Sequence, residues 1–363
     1  MKFAVSMNQT TYKVLGVMSG TSVDGIDFAY AEFTKTQSWN YKILKAETVA
    51  YPREWQKSLR DAIGLRPDEI KHLNKRYTHF LGKAIKHFID ENAIKDLDAV
   101  CSHGHTILHE PAKGFTLQIG NLEEIAAYCG QRVICDFRVQ DVHLGGEGAP
   151  LVPIGDKLLF DTYDFCLNLG GFANVSYDVD GQRIAYDICP VNIVLNRYAE
   201  KLGLEYDESG KIAANHAIDQ KLLATLNALD FYEKDVPKSL GLEWVLAHVL
   251  PIIDKYDLKP EEVIATFTEH AAFQIANAFA KAKHTPSPVV LATGGGAYNT
   301  HLIKRVGELS GIQVFVPCAE LVEFKEALVF GFMGVLRMRN ASNVLRSVTG
   351  ASHDHCTGKI FIP

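Results

Sequence analysis

A strand that ends in a glycine turn and resumes as a second strand occurs twice in this chain. That repetition constrains the fold more than any other feature. Val14–Met18 is a short apolar run, SGTSVDG is a turn, and Ile26–Phe33 resumes β-like composition. About 150 residues later, DFCLNLGGFANVSYDVDG repeats strand, turn and strand around Gly170 and Gly171. Strands and helices follow in each half. The halves agree in pattern more than in residues, which predicts two lobes of similar build, each holding a glycine hairpin over a shared cleft. Pro67–Asn92 reads as a helix. Pro67 suits its first turn, Asp68 and Glu69 complement the positive end of the helix dipole, and Ile70, Leu73, Tyr77, Phe80, Ala84 and Phe88 recur at spacings of three and four. Further strands are predicted at Leu97–Cys101, Arg132–Cys135 and Val289–Leu291. The expected fold is α/β, two lobes with mixed sheets flanked by helices. The lobes are expected at 1–136 and 137–337, with 338–363 returning to the first and a hinge near Pro150 and Pro153.

Composition sets the outer bounds. The length of 363 residues fits about two domains. A hydrophobic share of 47% with 22% charged residues excludes a disordered or collagen-like chain. The longest apolar runs fall short of the ~18 residues of a spanning helix. The start, MKFAVSMNQTTYK, lacks the ~7–15-residue apolar core of a signal peptide, so a cytoplasmic protein is expected. A net charge of −6 without a Lys/Arg-rich run speaks against nucleic-acid and membrane partners. The seven cysteines are odd in number, form no CxxC and lie mostly in apolar stretches, which predicts buried, reduced thiols.

Three glycine turns offer sites for phosphate. In MSGTSVDGID, Gly20 and Gly25 let backbone N–H groups approach an anion, and Thr21 and Ser22 can donate to its oxygens. Asp24 and Asp27 cannot stand beside a phosphate without a cation between them, so they imply Mg²⁺, directly or through water. The bland alternative is a plain hairpin turn. No GK[ST] is present, so this is not a Walker A loop. Gly170 and Gly171, with Asn168 and Asn174 as neutral donors, form a second candidate clamp, equally readable as a tight hairpin. Gly294, Gly295 and Gly296 end a strand before a helix, which suits a nucleoside or phosphate lying on backbone.

The set MSGTSVDGID, SHGHT, DFRVQD…GGEGAPLVP, LNLGGFANVS, YDESGKIA, VPKSLGLEW and LATGGGAYN resembles the anhydro-N-acetylmuramic acid kinase family, in that family's order and from about Val14 to Arg337. The resemblance implies membership of the actin-like sugar-kinase superfamily, with two ribonuclease-H-like lobes, ATP and Mg²⁺. It implies opening of 1,6-anhydro-N-acetylmuramic acid by water and phosphorylation of O6, giving N-acetylmuramic acid 6-phosphate and ADP. A homodimer is that family's habit.

The resemblance also assigns roles. The family's DTGPGN segment corresponds to Asp187–Asn192, which makes Asp187 the base that activates water; a helix cap is the other reading of this residue. Arg138 and Asp141 match sugar-side residues, Arg138 suiting a carboxylate by bidentate contact, and a structural Arg138–Asp141 pair is the alternative. Glu326 matches a glutamate near the substrate; the alternative is a solvated helix face beside Lys325. His103 falls in the SHGHT sugar-side segment. The chain departs from the family at Ile188, Cys189 and Val191, at His105 in place of glutamine, and at Glu147 in place of glutamine, all in segments expected to line the sugar pocket. A kinase for another sugar and a sugar- or nucleotide-binding pseudo-kinase are therefore the rival functions. His103, His105 and His109 also invite a zinc-hydrolase reading, as do His353, Asp354, His355 and Cys356 in the irregular tail.

Overall fold

The computed structural model describes residues 9–20, 23–282 and 285–363. The chain divides into two compact units, Met1–Leu159 with Phe324–Pro363, and Phe160–Glu323. The division falls later than 136/137 and earlier than 337. Pro150 and Pro153 lie inside the first unit, where Gly155 packs so tightly that a Cβ on it would meet Val329 at 2.4 Å.

Unit 1 is built on strands β1 (Thr11–Ser19), β2 (Gly25–Lys35), β3 (Trp39–Ala50), β4 (Ala99–Glu110), β5 (Phe115–Ile119) and β6 (Val133–Cys135). Their order is β3-β2-β1-β4-β6, with β5 pairing β4 and a short strand, Lys359–Phe361, antiparallel to β6. The β1–β2–β3 pairings are antiparallel; β4 joins β1 and β6 joins β4 in parallel. The helix Pro67–Glu91 buries Ile70, Leu73, Tyr77, Leu81, Ile85, Phe88 and Ile89, close to the stripe the spacing predicts. Phe88 stacks on Phe28 of β2 with ring centroids 4.7 Å apart. Burial of one such side chain is worth roughly 1.5–3 kcal/mol.

From Phe324 onward the helix Ala319–Met338 belongs to unit 1 and lies backbone to backbone on its sheet. A Cβ on Gly16 would stand 1.8 Å from the Ala327 carbonyl oxygen, and one on Gly334 would stand 2.0 Å from Cys101 Sγ. Only glycine allows this approach, and the approach sets the position of Glu326 on the helix. The tail expected to be irregular is tied down. The Asn343 side chain donates to the carbonyls of Met333 and Thr357 at 3.0 Å and accepts from Thr357 N–H at 2.7 Å.

Unit 2 repeats the plan with β7 (Phe165–Leu169), β8 (Phe172–Val179), β9 (Gln182–Pro190), β10 (Val289–Thr293) and β11 (Gln313–Phe315). The order β9-β8-β7-β10-β11 has the same antiparallel and parallel pairings as β3-β2-β1-β4-β6. This is the ribonuclease-H-like arrangement, present once in each unit, and the two glycine hairpins occupy equivalent places. The helix Pro260–Lys281 covers the sheet with Val263, Ile264, Phe267, Ala271, Ile275 and Phe279. Five cysteines are buried, Cys356 is half-buried and Cys318 is exposed at a loop; none of the seven is in a disulfide. Among the described residues no helix is long and apolar enough to cross a membrane.

Candidate active site

In unit 1 the residues read from separate motifs gather around β1, β2, β4 and the helix from Phe324. Thr21 and Ser22 lie outside the described residues. Around them Gly20 follows the end of β1, and its carbonyl accepts from Val23 N–H at 3.2 Å. Asp24 is exposed. A Cβ on Gly25 would meet the Val49 carbonyl oxygen at 2.7 Å, so this glycine is required by close packing against β3. Asp27 is half-buried on β2, and its Oδ1 accepts from Thr48 Oγ1 at 2.6 Å across the β2–β3 ladder.

Arg138 does not pair with Asp141. Its Nε donates to His103 Nε2 at 2.8 Å and its Nη1 to the Gly148 carbonyl at 2.7 Å. His103 Nδ1 meets the Gly104 carbonyl at 2.9 Å, so Nδ1 bears the proton and Nε2 accepts. Burial, then Arg138, hold the His103 pKa well below its ordinary value, and the ring is neutral. Burial brings Arg138 down to about 10, with Glu326 and Asp141 opposing, so it stays a cation at neutral pH. Asp141 is fully buried and spent on the fold: it accepts from Gly148 N–H and Thr349 Oγ1, each at 2.7 Å, and stands 3.6 Å from His355 Nε2.

Glu326 does not pair with Lys325, which instead pairs with buried Asp156 at 2.7 Å. Its side chain is open to solvent, yet the surrounding protein desolvates it and raises its pKa; Arg138 lowers it and Asp27 raises it further. Asp27 and Glu326 thus repel each other, while Arg138 attracts Glu326. Mg²⁺ needs only one or two protein carboxylates, with water and substrate phosphates completing its shell, and this acidic pair fits such a cation. No group of three or more His, Cys, Asp or Glu suited to a metal exists among the described residues. His103, His105 and His109 belong to no such group. His103 is taken by Arg138 and Gly104, His105 Nδ1 by Ser19 Oγ at 2.8 Å, and His109 Nδ1 by Thr116 Oγ1 at 3.0 Å. In the tail, His355 faces Asp141 and Asp354 accepts from Arg346 N–H.

In unit 2 the strand registers line up polar residues from three motifs. Thr293 of β10 pairs with Asn168 of β7, Asn168 with Asn174 of β8, and Asn174 with Asp187 of β9. Residues in register face the same side, so these four form one row across the sheet. Thr293 escaped the sequence reading. It is fully buried, and its Oγ1 has no hydrogen-bond partner among the described residues. Gly294 is left-handed at φ +81°, and a Cβ there would meet Asn168 Oδ1 and the Leu169 carbonyl oxygen at 2.8 Å. Gly296 likewise lies on Leu169, whereas Gly295 faces open space. At Gly170 and Gly171 a Cβ would meet nothing nearer than 3.7 Å, so the backbone of this turn is open to a ligand.

Asp187 is not a helix cap. β9 runs through Asp187 and on to Pro190. The following helix, Asn192–Glu200, starts at Val191 with no side-chain cap. A β-bulge falls here, because Ala173 pairs with Cys189 and Asn174 with Asp187, leaving Ile188 as the extra residue. Bulges re-aim side chains and recur beside active sites. Asp187 is gripped by the segment after Pro237. Its N–H donates to the Lys238 carbonyl, and its Oδ2 accepts from Leu240 N–H, both at 2.9 Å. Oδ1 has no hydrogen-bond partner among the described residues. Burial raises the Asp187 pKa, with the Leu240 hydrogen bond opposing. Ile188, Cys189 and Val191 are buried in the core of unit 2, and Ile188 also lines a cavity with Tyr177, Tyr186 and Tyr232.

Two ribonuclease-H-like units in one chain, each with a glycine hairpin at the same place, are the build of the actin-like sugar kinases. The chain belongs to the anhydro-N-acetylmuramic acid kinase family, whose model matches residues 12–363. A Pseudomonas putida protein of that name is 33% identical, covering 96% of this chain and 98% of its own. One from Saccharophagus degradans is 32% identical over 96% and 98%. One from Haemophilus influenzae is 30% identical over 98% and 99%. Among solved structures, a xylulose kinase from Lactobacillus acidophilus aligns with a TM-score of 0.47 and 11% identity, covering 97% of this chain and 94% of that one.

Proposed function

We propose that this chain opens 1,6-anhydro-N-acetylmuramic acid with water and transfers the γ-phosphoryl group of ATP to the freed O6. The products are N-acetylmuramic acid 6-phosphate and ADP, and the setting is cell-wall sugar recycling in the cytoplasm. The observation that carries this reading is Asp187, a desolvated carboxylate on a strand bulge with one oxygen held by a backbone N–H and the other without a partner. In this role Oδ1 takes a proton from the water that attacks the anomeric carbon, as O6 leaves that carbon and becomes the nucleophile toward phosphorus. Arg138, with Nε and Nη1 fixed by His103 and Gly148, offers Nη2 to the lactyl carboxylate. Asp141 acts one step back, holding Gly148 in place. Gly20, Gly25, Gly170, Gly171, Asn174 and Gly294–Gly296 are assigned to the nucleotide, with Thr21 and Ser22. Mg²⁺, held by Asp24 and Asp27 directly or through water and near Glu326, would neutralise phosphate charge. For phosphoryl transfer, positioning and electrostatics dominate the catalysis.

The test is a product assay with ATP and a panel of anhydro and free amino sugars. Stoichiometric ADP and a 6-phosphate formed from the anhydro-muramic sugar support the reading. Turnover only with a different sugar, or nucleotide binding without turnover on any, overturns it.

A further inference from the structure

Ser19 and Asp24 bracket the first glycine turn, and one residue holds both. Tyr51 follows β3 directly. Its backbone N–H donates to the Asp24 carbonyl at 3.1 Å, extending the ladder that pairs Gly25 with Ala50. Its hydroxyl lies 2.7 Å from Ser19 Oγ, the last residue of β1. The same Ser19 oxygen is 2.8 Å from His105 Nδ1 on β4, and the Tyr51 hydroxyl is also bonded to the Tyr77 hydroxyl. The Tyr51 ring is buried, with Tyr77 and Phe80 at centroid distances of 6.4 and 6.0 Å, so it is a rigid post. Burial keeps Tyr77 protonated, its pKa raised to about 12, and keeps His105 neutral, its pKa lowered to about 4.

Between the two held residues stands Val23, buried and left-handed at φ +61°. For a β-branched residue this is a strained backbone, and such strain persists only where the surroundings over-determine it. The Val23 N–H closes the turn on the Gly20 carbonyl. Nothing in the proposed chemistry uses Tyr51, yet it fixes both ends of the strained turn.

We propose that Tyr51 is a positioning residue for the nucleotide phosphates: its hydroxyl and its N–H clamp Ser19 and Asp24 on either side of the first glycine turn, and so hold Val23 in its strained conformation. This rests on the assignment of that turn to ATP. Tyr51→Phe keeps the ring and the N–H and removes only the hydroxyl arm. Losing one such hydrogen bond corresponds to about a 5- to 10-fold change in an equilibrium constant.

Two measurements keep the clamp and the nucleotide assignment apart. In the ligand-free protein, amide hydrogen exchange at Val23 quickens about 5- to 10-fold in Tyr51→Phe, while exchange at Val17 in mid-β1 is unchanged. Unchanged Val23 exchange overturns the clamp whatever the protein binds. Calorimetry then reads ATP affinity, which weakens about 5- to 10-fold in Tyr51→Phe and equally in Ser19→Ala. The double variant loses less than the product of the two single losses, because the Tyr51–Ser19 contact is counted in both. In kinetics the ATP KM rises while the sugar KM stays within about 2-fold. A lower melting temperature with both KM values unchanged makes Tyr51 merely structural and overturns the positioning role. Faster Val23 exchange with unaltered ATP affinity leaves the clamp standing and removes the turn from the nucleotide site.

Discussion

Unit 1 and unit 2 share a strand order and a hairpin turn, yet the three-strand row beside the turn is filled differently. In unit 1 the registered residues are Met18, Asp27 and Thr48; in unit 2 they are Asn168, Asn174 and Asp187. The acid of unit 1 sits on the middle strand, takes a hydrogen bond from Thr48 and repels a second carboxylate, Glu326. The acid of unit 2 sits on the outer strand, on a bulge, with Asn174 as its ladder neighbour, and burial makes it more basic. In the proposed function, one backbone plan therefore serves a cation in one copy and a proton transfer in the other. Topology sets where a side chain stands, and its neighbours set what it can do.

The sharpest way to break this comparison is Asp187→Asn. General-base catalysis contributes typically ~10²–10⁴-fold, so kcat should fall at least about 10²-fold while the KM values for sugar and ATP stay within a few-fold. The kcat of the native enzyme should fall as pH drops through the Asp187 pKa. That acid limb should lie above the ordinary value of 3.8, because burial raises this group. Stability has the opposite sign. A carboxyl with a folded pKa above its unfolded one binds its proton more tightly when folded, so it loses stability as pH rises through that window. Asn carries no such charge, and the melting temperature of the variant at neutral pH should hold or rise. A variant within a few-fold of native activity removes Asp187 as the base.

The second effect belongs to unit 1. Asp27→Asn removes one of two repelling carboxylates, so calorimetric ATP affinity should fall about tenfold in Mg²⁺ and change little in EDTA. Each factor of ten is about 1.4 kcal/mol, within the range of one charge-assisted contact. An equal loss with and without Mg²⁺ would show that Asp27 serves the fold and not a cation.

The smallest effect returns to unit 2. A Cβ at Gly171 meets no protein atom within 3.7 Å, and Gly→Ala at a compatible position stabilises by about 0.4–1 kcal/mol through the unfolded chain. Gly171→Ala should therefore keep or slightly raise the melting temperature and raise the ATP KM several-fold, because the methyl occupies the open face of the turn. An unchanged ATP KM would take this turn out of the site.

The repeated strand–turn–strand pattern, the helix Pro67–Glu91 and the strands near Val133 and Val289 were legible in the sequence. Each is written in local chemistry, as apolar periodicity, a proline at a helix start or glycines at a turn. The motifs around Asp24, Asp187 and Arg138 were equally legible as candidates. Which partner each takes was not, because partners arrive from residues far away in the chain. Arg138 bonds His103 and Gly148 and leaves Asp141 to Thr349, 208 positions distant. Asp187 was open to a capping role until strand register placed it on a bulge, gripped by Leu240, 53 positions on. Ile188, Cys189 and Val191 stand in one short segment, and only the fold shows all three buried in the core with Ile188 also at a cavity wall. Sequence by itself determined two copies of one α/β plan and the polar residues each carries at its turn. Only the tertiary structure decided how they combine, because register and long-range hydrogen bonds are set when distant strands pair, and that pairing leaves no local trace.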